Sequence, residues 1–394
     1  MRSILTLLMV GFVHSALSCC ADKANPATNE ANSTASLPSE NFGVCLEDLG
    51  PLDKEKKLYI YTWFDQISPK IIDAFFKLTG IRVIVDVFDC NETLEAKLLT
   101  GNCSYDLVLP TVWPFFCHQM QAKTFQKLDT KRLAKYMQKL DKQALDLLSD
   151  IDPLNEYAVP FTWGINGIGI NIEIIKRLAP DVPLDSWAIL FDPRYAKKLS
   201  AAGISLLESP EELFAAVFAY LGCSAENIDL KQADEAIKCL RRVRLHINRF
   251  DSYSFQDLAS GSACAVMCSS GDLMFARTQT SKKNARNIRF IVPKEGACLW
   301  MEVLAIPKKA KHVNNAHAFL IFLMHPRVSA EATDYTGCAS AVPEAKKYVS
   351  SAIANDPSIY PNQKMLSISQ TKNALPRNIS NHLGRALTRI KFEI

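Results

Sequence analysis

Seven histidines in 394 residues, and twelve cysteines without one C-x-x-C pair, leave this chain with no zinc-type ligand spacing. Charge of one sign is also missing. Forty-five basic residues stand against 41 acidic ones, a net charge of +4, without the imbalance that marks a nucleic-acid partner. Apolar runs are short: Ile4 to Leu17 and Ala316 to Met324 both fall below the roughly 20 residues that span a bilayer. The glycine-bearing stretch Gly164 to Asn171 contains neither G-x-G-x-x-G nor a P-loop lysine, so it is not a nucleotide loop. What remains is an ordinary soluble composition, 48% hydrophobic and 22% charged, too long for one simple core. Two lobes with a cleft between them are expected.

At the N-terminus, Arg2 precedes the apolar run, which closes on Ala16-Leu17-Ser18-Cys19-Cys20. This has the make-up of an export signal, and its end resembles the bacterial lipoprotein box, with Cys19 or Cys20 as the acylated residue. Residues 1–20 are thus read as a lipoprotein signal. Residues 21–40 are poor in large apolar side chains and cannot bury enough surface to fold, so 21–56 is expected to be a flexible tether.

The folded part opens on a strand, loop, helix and strand between Leu58 and Asp89. Leu58 to Thr62 is apolar without alternation, as in a strand buried on both faces. Ser68 and Pro69 start a helix with Ile72, Phe75 and Phe76 on one face, and Gly80 stops it. The pattern repeats, with Asn91 expected to cap a helix and Asp106 to Pro110 as the next strand. In such sheets ligands bind beyond the carboxyl ends of the strands. Here those ends carry Trp63, Phe64, Asp65 and Gln66, then Thr111, Val112 and Trp113: aromatic faces beside a carboxylate, which suit a cation.

Three further carboxylates are singled out. Glu212 completes S-x-x-E with Ser209 and reads first as a capping-box member. Asp272 lies where an apolar strand turns into a helix, as an N-cap or a site carboxylate. Glu302 interrupts the apolar strand Leu299 to Ile306, with Trp300 on the same face two residues earlier, and a buried charge there calls for a cation. Cys117 and His118 are adjacent and so do not face one another on a helix, which argues against a nucleophile and base.

The segments 58–65, 79–101, 105–111, 179–187, 209–222, 257–272 and 292–307, in that order and spacing, resemble polyamine-binding proteins of bacterial ABC importers, closest to the putrescine-binding type. The resemblance implies an α/β, two-lobed periplasmic-binding-protein fold of type II. It implies a non-enzymatic protein without cofactor, closing as a monomer on putrescine or spermidine and delivering it to a membrane permease. Lobe 1 is expected over 57–161 and 303–345, and lobe 2 over 162–302 and 346–394, with C-terminal helices across both. Carried over by position, Trp63 packs on ligand methylenes, Phe64, Asp65 and Thr111 line the first lobe, Glu212 faces one amine, Asp272 and Glu302 hold the other, and Trp300 forms a wall. An alkyl diamine needs this combination of end carboxylates and aromatic sides. Four departures, Ser269, Cys338, Gln66 and Phe64, alter the walls. They allow a different cationic solute, or a lipoprotein that keeps the fold as an interaction protein.

Overall fold

Lys57–Trp63 forms strand β1, with Tyr59, Tyr61 and Trp63 on one face and Leu58, Ile60 and Thr62 on the other. The computed structural model describes residues 42–101, 103–223, 228–361, 366, 370–371 and 375–393. Cys19, Cys20 and the signal lie outside them. After β1 the helix Pro69–Thr79 starts where expected: Ser68 Oγ accepts from the Ile71 N–H at 3.2 Å, and Gly80 ends it at φ 69°. Its buried face is Ile71, Phe75 and Thr79, at i, i+4 and i+8. Phe76, expected on that face, is exposed, and Ile72 lies at its edge.

Strand β2, Arg82–Phe88, pairs parallel with β1 from Lys57↔Arg82 to Trp63↔Phe88. Strand β3, Leu107–Val108, pairs with the other edge of β1. The centre of the sheet is β4, Ala158–Asn171, fourteen residues long. Asp152-Pro153 and the Gly167/Gly169 pair predict a crossover and then a strand from Gly167; instead one strand runs through, with a register shift between Pro160 and Thr162. The remaining strands are β5 (Ile204–Leu206), β6 (Arg249–Phe250), β7 (Ala265–Ser269), β8 (Ile288–Ile291), β9 (Cys298–Ala305), β10 (Ala339–Ser340) and β11 (Gln370–Thr371). Their main order is β2-β1-β3-β9-β4-β7-β5-β6. The antiparallel β9-β4 pair therefore joins two largely parallel halves, which makes the molecule two-lobed.

Each half has its own apolar interior. The first gathers Ile60, Phe75, Leu107, Phe161, Leu304 and Phe319, and the second gathers Ile168, Trp187, Phe214, Leu240 and Met267. The C-terminal segment touches both: Ile353 and Ala354 pack on the first, and the helix Arg377–Phe392 sets Ile379, Leu383, Leu387 and Ile390 into the second. Phe125 to Asp152 reads in sequence as mostly helical and holds two helices, Thr130–Met137 and Lys142–Ser149, each capped by an aspartate.

The tether expected over 21–56 does not extend over 42–56. Phe42, Val44 and Leu49 are buried in the first lobe, so the chain is packed from Phe42 onward. Arg132 donates to the Pro51 carbonyl, Asn315 to the carbonyls of Glu55 and Lys57, and His312 bridges Asp106 and Glu55. Large apolar residues at 42, 44 and 49 supply the surface that 21–40 lacks.

Candidate functional site

The carboxyl ends of β1, β3, β5 and β7 and the middle of β9 open on one cleft of about 230 Å³. All eight residues selected from the sequence, Trp63, Phe64, Asp65, Thr111, Glu212, Asp272, Trp300 and Glu302, line it. Their surroundings explain what each contributes.

Glu302 lies within β9, 5% exposed, where Thr111 bridges to it across the strand edge. The Thr111 hydroxyl donates to Glu302 Oε1 at 2.8 Å. Oε2 and the Trp63 indole nitrogen, both buried, complete no hydrogen bond among the described residues. Burial pushes the Glu302 carboxyl up to about 8; the Thr111 hydroxyl and the nearby Trp63 indole N–H, too poorly placed to complete a hydrogen bond, restrain the rise, and the charge of Glu212 adds to it. A buried carboxylate oxygen in such a place can take a hydrogen bond from a cationic donor.

Asp272 belongs to the helix Ser270–Thr278. It is the third residue of that helix rather than its N-cap: Ser269 Oγ accepts its N–H at 3.2 Å and its Oδ2 accepts the Ser269 N–H at 2.9 Å. The reciprocal capping box expected at Glu212 is made here instead. Burial raises the Asp272 carboxyl to about 6, with Glu212 adding to the rise.

At the helix Pro210–Tyr220 only half a box forms. Ser209 Oγ accepts the Glu212 N–H at 3.4 Å, but the Glu212 carboxylate turns into the cleft and accepts from Asn166 Nδ2 at 2.8 Å. Asn166, on β4, is what redirects it. Asp65 takes a left-handed φ of 53° at the end of β1, and its Oδ1 accepts from the Tyr335 hydroxyl at 2.9 Å. Burial, then this carboxylate, lifts Tyr335 to about 12.

The walls are aromatic. Trp63 tilts against Phe88 at 4.7 Å between centroids, and Phe64 is 56% exposed on the first-lobe rim. Trp300 lies against Gly164 on the neighbouring strand, where a Cβ would collide with the indole. Tyr253 and Phe275 line the second-lobe side and were not selected from sequence; both come from segments without a chemical pattern. Nor was Asn91 read correctly. Cys90 precedes the helix Asn91–Leu99 without a side-chain cap, and Asn91, its first residue, points its amide at Thr111.

Charge in the cleft has one sign. Asp65, Asp89, Glu92, Glu208, Glu211, Glu212, Asp272 and Glu302 line it, and among the described residues no Lys, Arg or His does. Glu92 is raised by burial and then by Glu211 and Glu212. Cys117 and His118 lie outside this lining: burial raises the thiol, and His118 sits 3.6 Å from Glu95.

The family pattern described as bacterial extracellular solute-binding protein matches residues 70–361. The chain belongs to this family. As a solute-binding protein it is 38% identical, over 85% of its length and 92% of the relative's, to the putrescine-binding periplasmic protein SpuD of Pseudomonas aeruginosa. It is 36% identical, over 86% and 92%, to the putrescine-binding periplasmic protein PotF of Escherichia coli. Among solved structures it resembles a putative spermidine/putrescine ABC transporter protein from Listeria monocytogenes, with TM-score 0.76 and 26% identity, covering 86% of this chain and 99% of that one. Among the described residues, no helix of this solute-binding protein is long and apolar enough to cross a membrane.

Proposed function

We propose that this protein captures a polyamine, putrescine or spermidine, outside the cytoplasm and delivers it unchanged to the permease of an ABC importer. The observation that carries this reading is a cleft lined by eight carboxylates and aromatic walls with no basic side chain among its described lining residues. A polyamine has the complementary form, with ammonium groups joined by methylenes. Relatives of nearly the same length carry putrescine in their names.

In this reading Trp63 and Trp300 flank the methylenes, while Asp65, Glu212, Asp272 and Glu302 receive the ammonium groups. Phe64 and Thr111 complete the first-lobe side. Lobe 1 takes 57–161 and 303–345, and lobe 2 takes 162–302 and 346–394, with the C-terminal segment across both, since Ile353 and Ala354 pack on the first interior. This division is supported by the first interior running to Phe161 and resuming at Leu304. The protein acts as a monomer, held to the membrane by a lipid on Cys19 or Cys20.

Titration calorimetry with putrescine and with spermidine tests the proposal. Saturable heat at one site per chain is expected from at least one of them. Heat from neither, with a cooperative thermal transition intact, would leave another cationic solute or an interaction role as the function of the fold.

A further inference from the structure

Thr111 Oγ1 stands between two side chains. It donates to Glu302 Oε1 at 2.8 Å, and it accepts from Asn91 Nδ2 at 2.8 Å. Asn91 Oδ1 in turn accepts the Thr111 backbone N–H at 3.2 Å. That second contact settles the orientation of the amide, since a backbone N–H can only donate and the atom facing it must be the oxygen. The Nδ2 group therefore faces the hydroxyl and occupies one of its lone pairs. With the hydroxyl so held, its single proton is directed at Glu302.

We propose that Asn91 is a positioning residue for ligand binding, acting through Thr111 to fix the Glu302 carboxylate by Oε1 so that Oε2 alone is left to receive a ligand donor. Asn91 is buried and Thr111 only partly exposed, and Glu302 Oε2 has no hydrogen-bond partner among the described residues. A donor into the hydroxyl polarises it and strengthens its own donation, so the effect of Asn91 travels along the chain of bonds. The ionised form of Glu302 benefits, because the Thr111 donation is among the contacts that hold its carboxyl down against burial. The charged and titratable groups facing Glu302 are Glu212 on the helix Pro210–Tyr220 and the Cys338 thiol, with the Trp63 N–H beside it. None of these touches Asn91 through a hydrogen bond described for it.

The inference rests on the polyamine reading and is tested by putrescine binding followed from pH 6 to 9. Asn91→Ala should bind about tenfold more weakly at neutral pH, the scale of one hydrogen bond. The midpoint at which affinity levels off should also move to higher pH. Thr93→Ala, an exposed position on the same helix, should keep the parent's midpoint. Thr111→Val should shift the midpoint as well, and adding Asn91→Ala to it should produce no further shift. A weakened Asn91→Ala with the parent's midpoint, or additive shifts in the double variant, would reduce Asn91 to a support of its helix and overturn the proposal. Should Asn91→Ala fail to fold, Asn91→Asp serves in its place: its acceptor-only side chain diverts the Thr111 proton from Glu302, and an unmoved midpoint overturns the proposal equally. Absence of putrescine binding by the parent protein would instead strike the functional reading itself.

Discussion

Thr111 and Glu302, 191 positions apart in the chain, are joined by a 2.8 Å hydrogen bond that fixes one carboxylate oxygen, while the other, buried, has no hydrogen-bond partner among the described residues. Because Glu302 is buried, its carboxyl rises from an ordinary 4.5 to about 8.

Two opposite pH trends follow. In the ligand-free protein the folded state keeps a proton that the unfolded chain has released, so this group's contribution to stability is present below pH 4.5 and is lost as pH rises through about 8. A cation binds the ionised form, so affinity for putrescine rises over the same range, by up to about tenfold per pH unit where one proton is displaced. Calorimetry in buffers of different ionisation enthalpy should register proton release on binding near pH 7. Affinity that is flat between pH 6 and 8 would contradict the assignment of Glu302.

Glu302→Gln removes the titration while keeping an oxygen for Thr111. Putrescine binding is expected to weaken by about 2 to 4 kcal/mol, as when one partner of a buried charged contact is removed. The melting temperature of the ligand-free variant should vary less between pH 6 and 9 than that of the parent, as thermal scans would show.

Asp272 and Glu212 exchange the stability roles that their sequence contexts suggest. Asp272→Asn disturbs a complete capping box, with an expected cost of about 1 kcal/mol in stability alongside about 2 to 4 kcal/mol in binding. Glu212→Gln keeps an acceptor for Asn166, so its stability should change by only about 0.5 kcal/mol while its affinity falls. Urea titration paired with calorimetry separates the two. A Glu212→Gln that unfolds more readily than Asp272→Asn would reverse the assignment.

Gly164→Ala places a methyl group against the Trp300 ring. Overpacking of this kind costs about 1 to 3 kcal/mol. Here it should also displace one wall of the cleft, lowering both melting temperature and putrescine affinity. Binding equal to the parent's would remove Trp300 from the site.

Replacing Cys19 and Cys20 together by alanine should release the protein from the membrane fraction as a soluble species, judged by fractionation and immunoblot. Retention equal to the parent's would exclude a lipid on either residue.

Much of the fold is written in local pattern. Ser68-Pro69 and Gly80 bound their helix as expected, and the aromatic ends of β1 and β3 point at the cleft. What local pattern does not carry is competition between distant partners. Ser209-x-x-Glu212 and Ser269-x-x-Asp272 are equivalent motifs, yet Asn166 on β4 draws Glu212 away and nothing comparable draws Asp272. Asn91 has cap chemistry, but Thr111 offers it two bonds. The unity of β4 was hidden because Pro160 and three glycines read as interruptions, whereas Gly164 is there to admit Trp300 and the bend absorbs the proline. The acidic lining from Asp89, Glu92, Glu208 and Glu211 comes from loops and helix starts that carry no signature.

The packed stretch from Phe42 has a mechanical consequence. Its contacts with Arg132, His312 and Asn315 all belong to the half of the sheet that carries β1. Tension applied to the chain at Phe42 therefore loads that half and is borne by its ion pairs and buried side chains. The other half is tied to it through the β4-β9 joint and the C-terminal segment, and receives this load only by way of those connections.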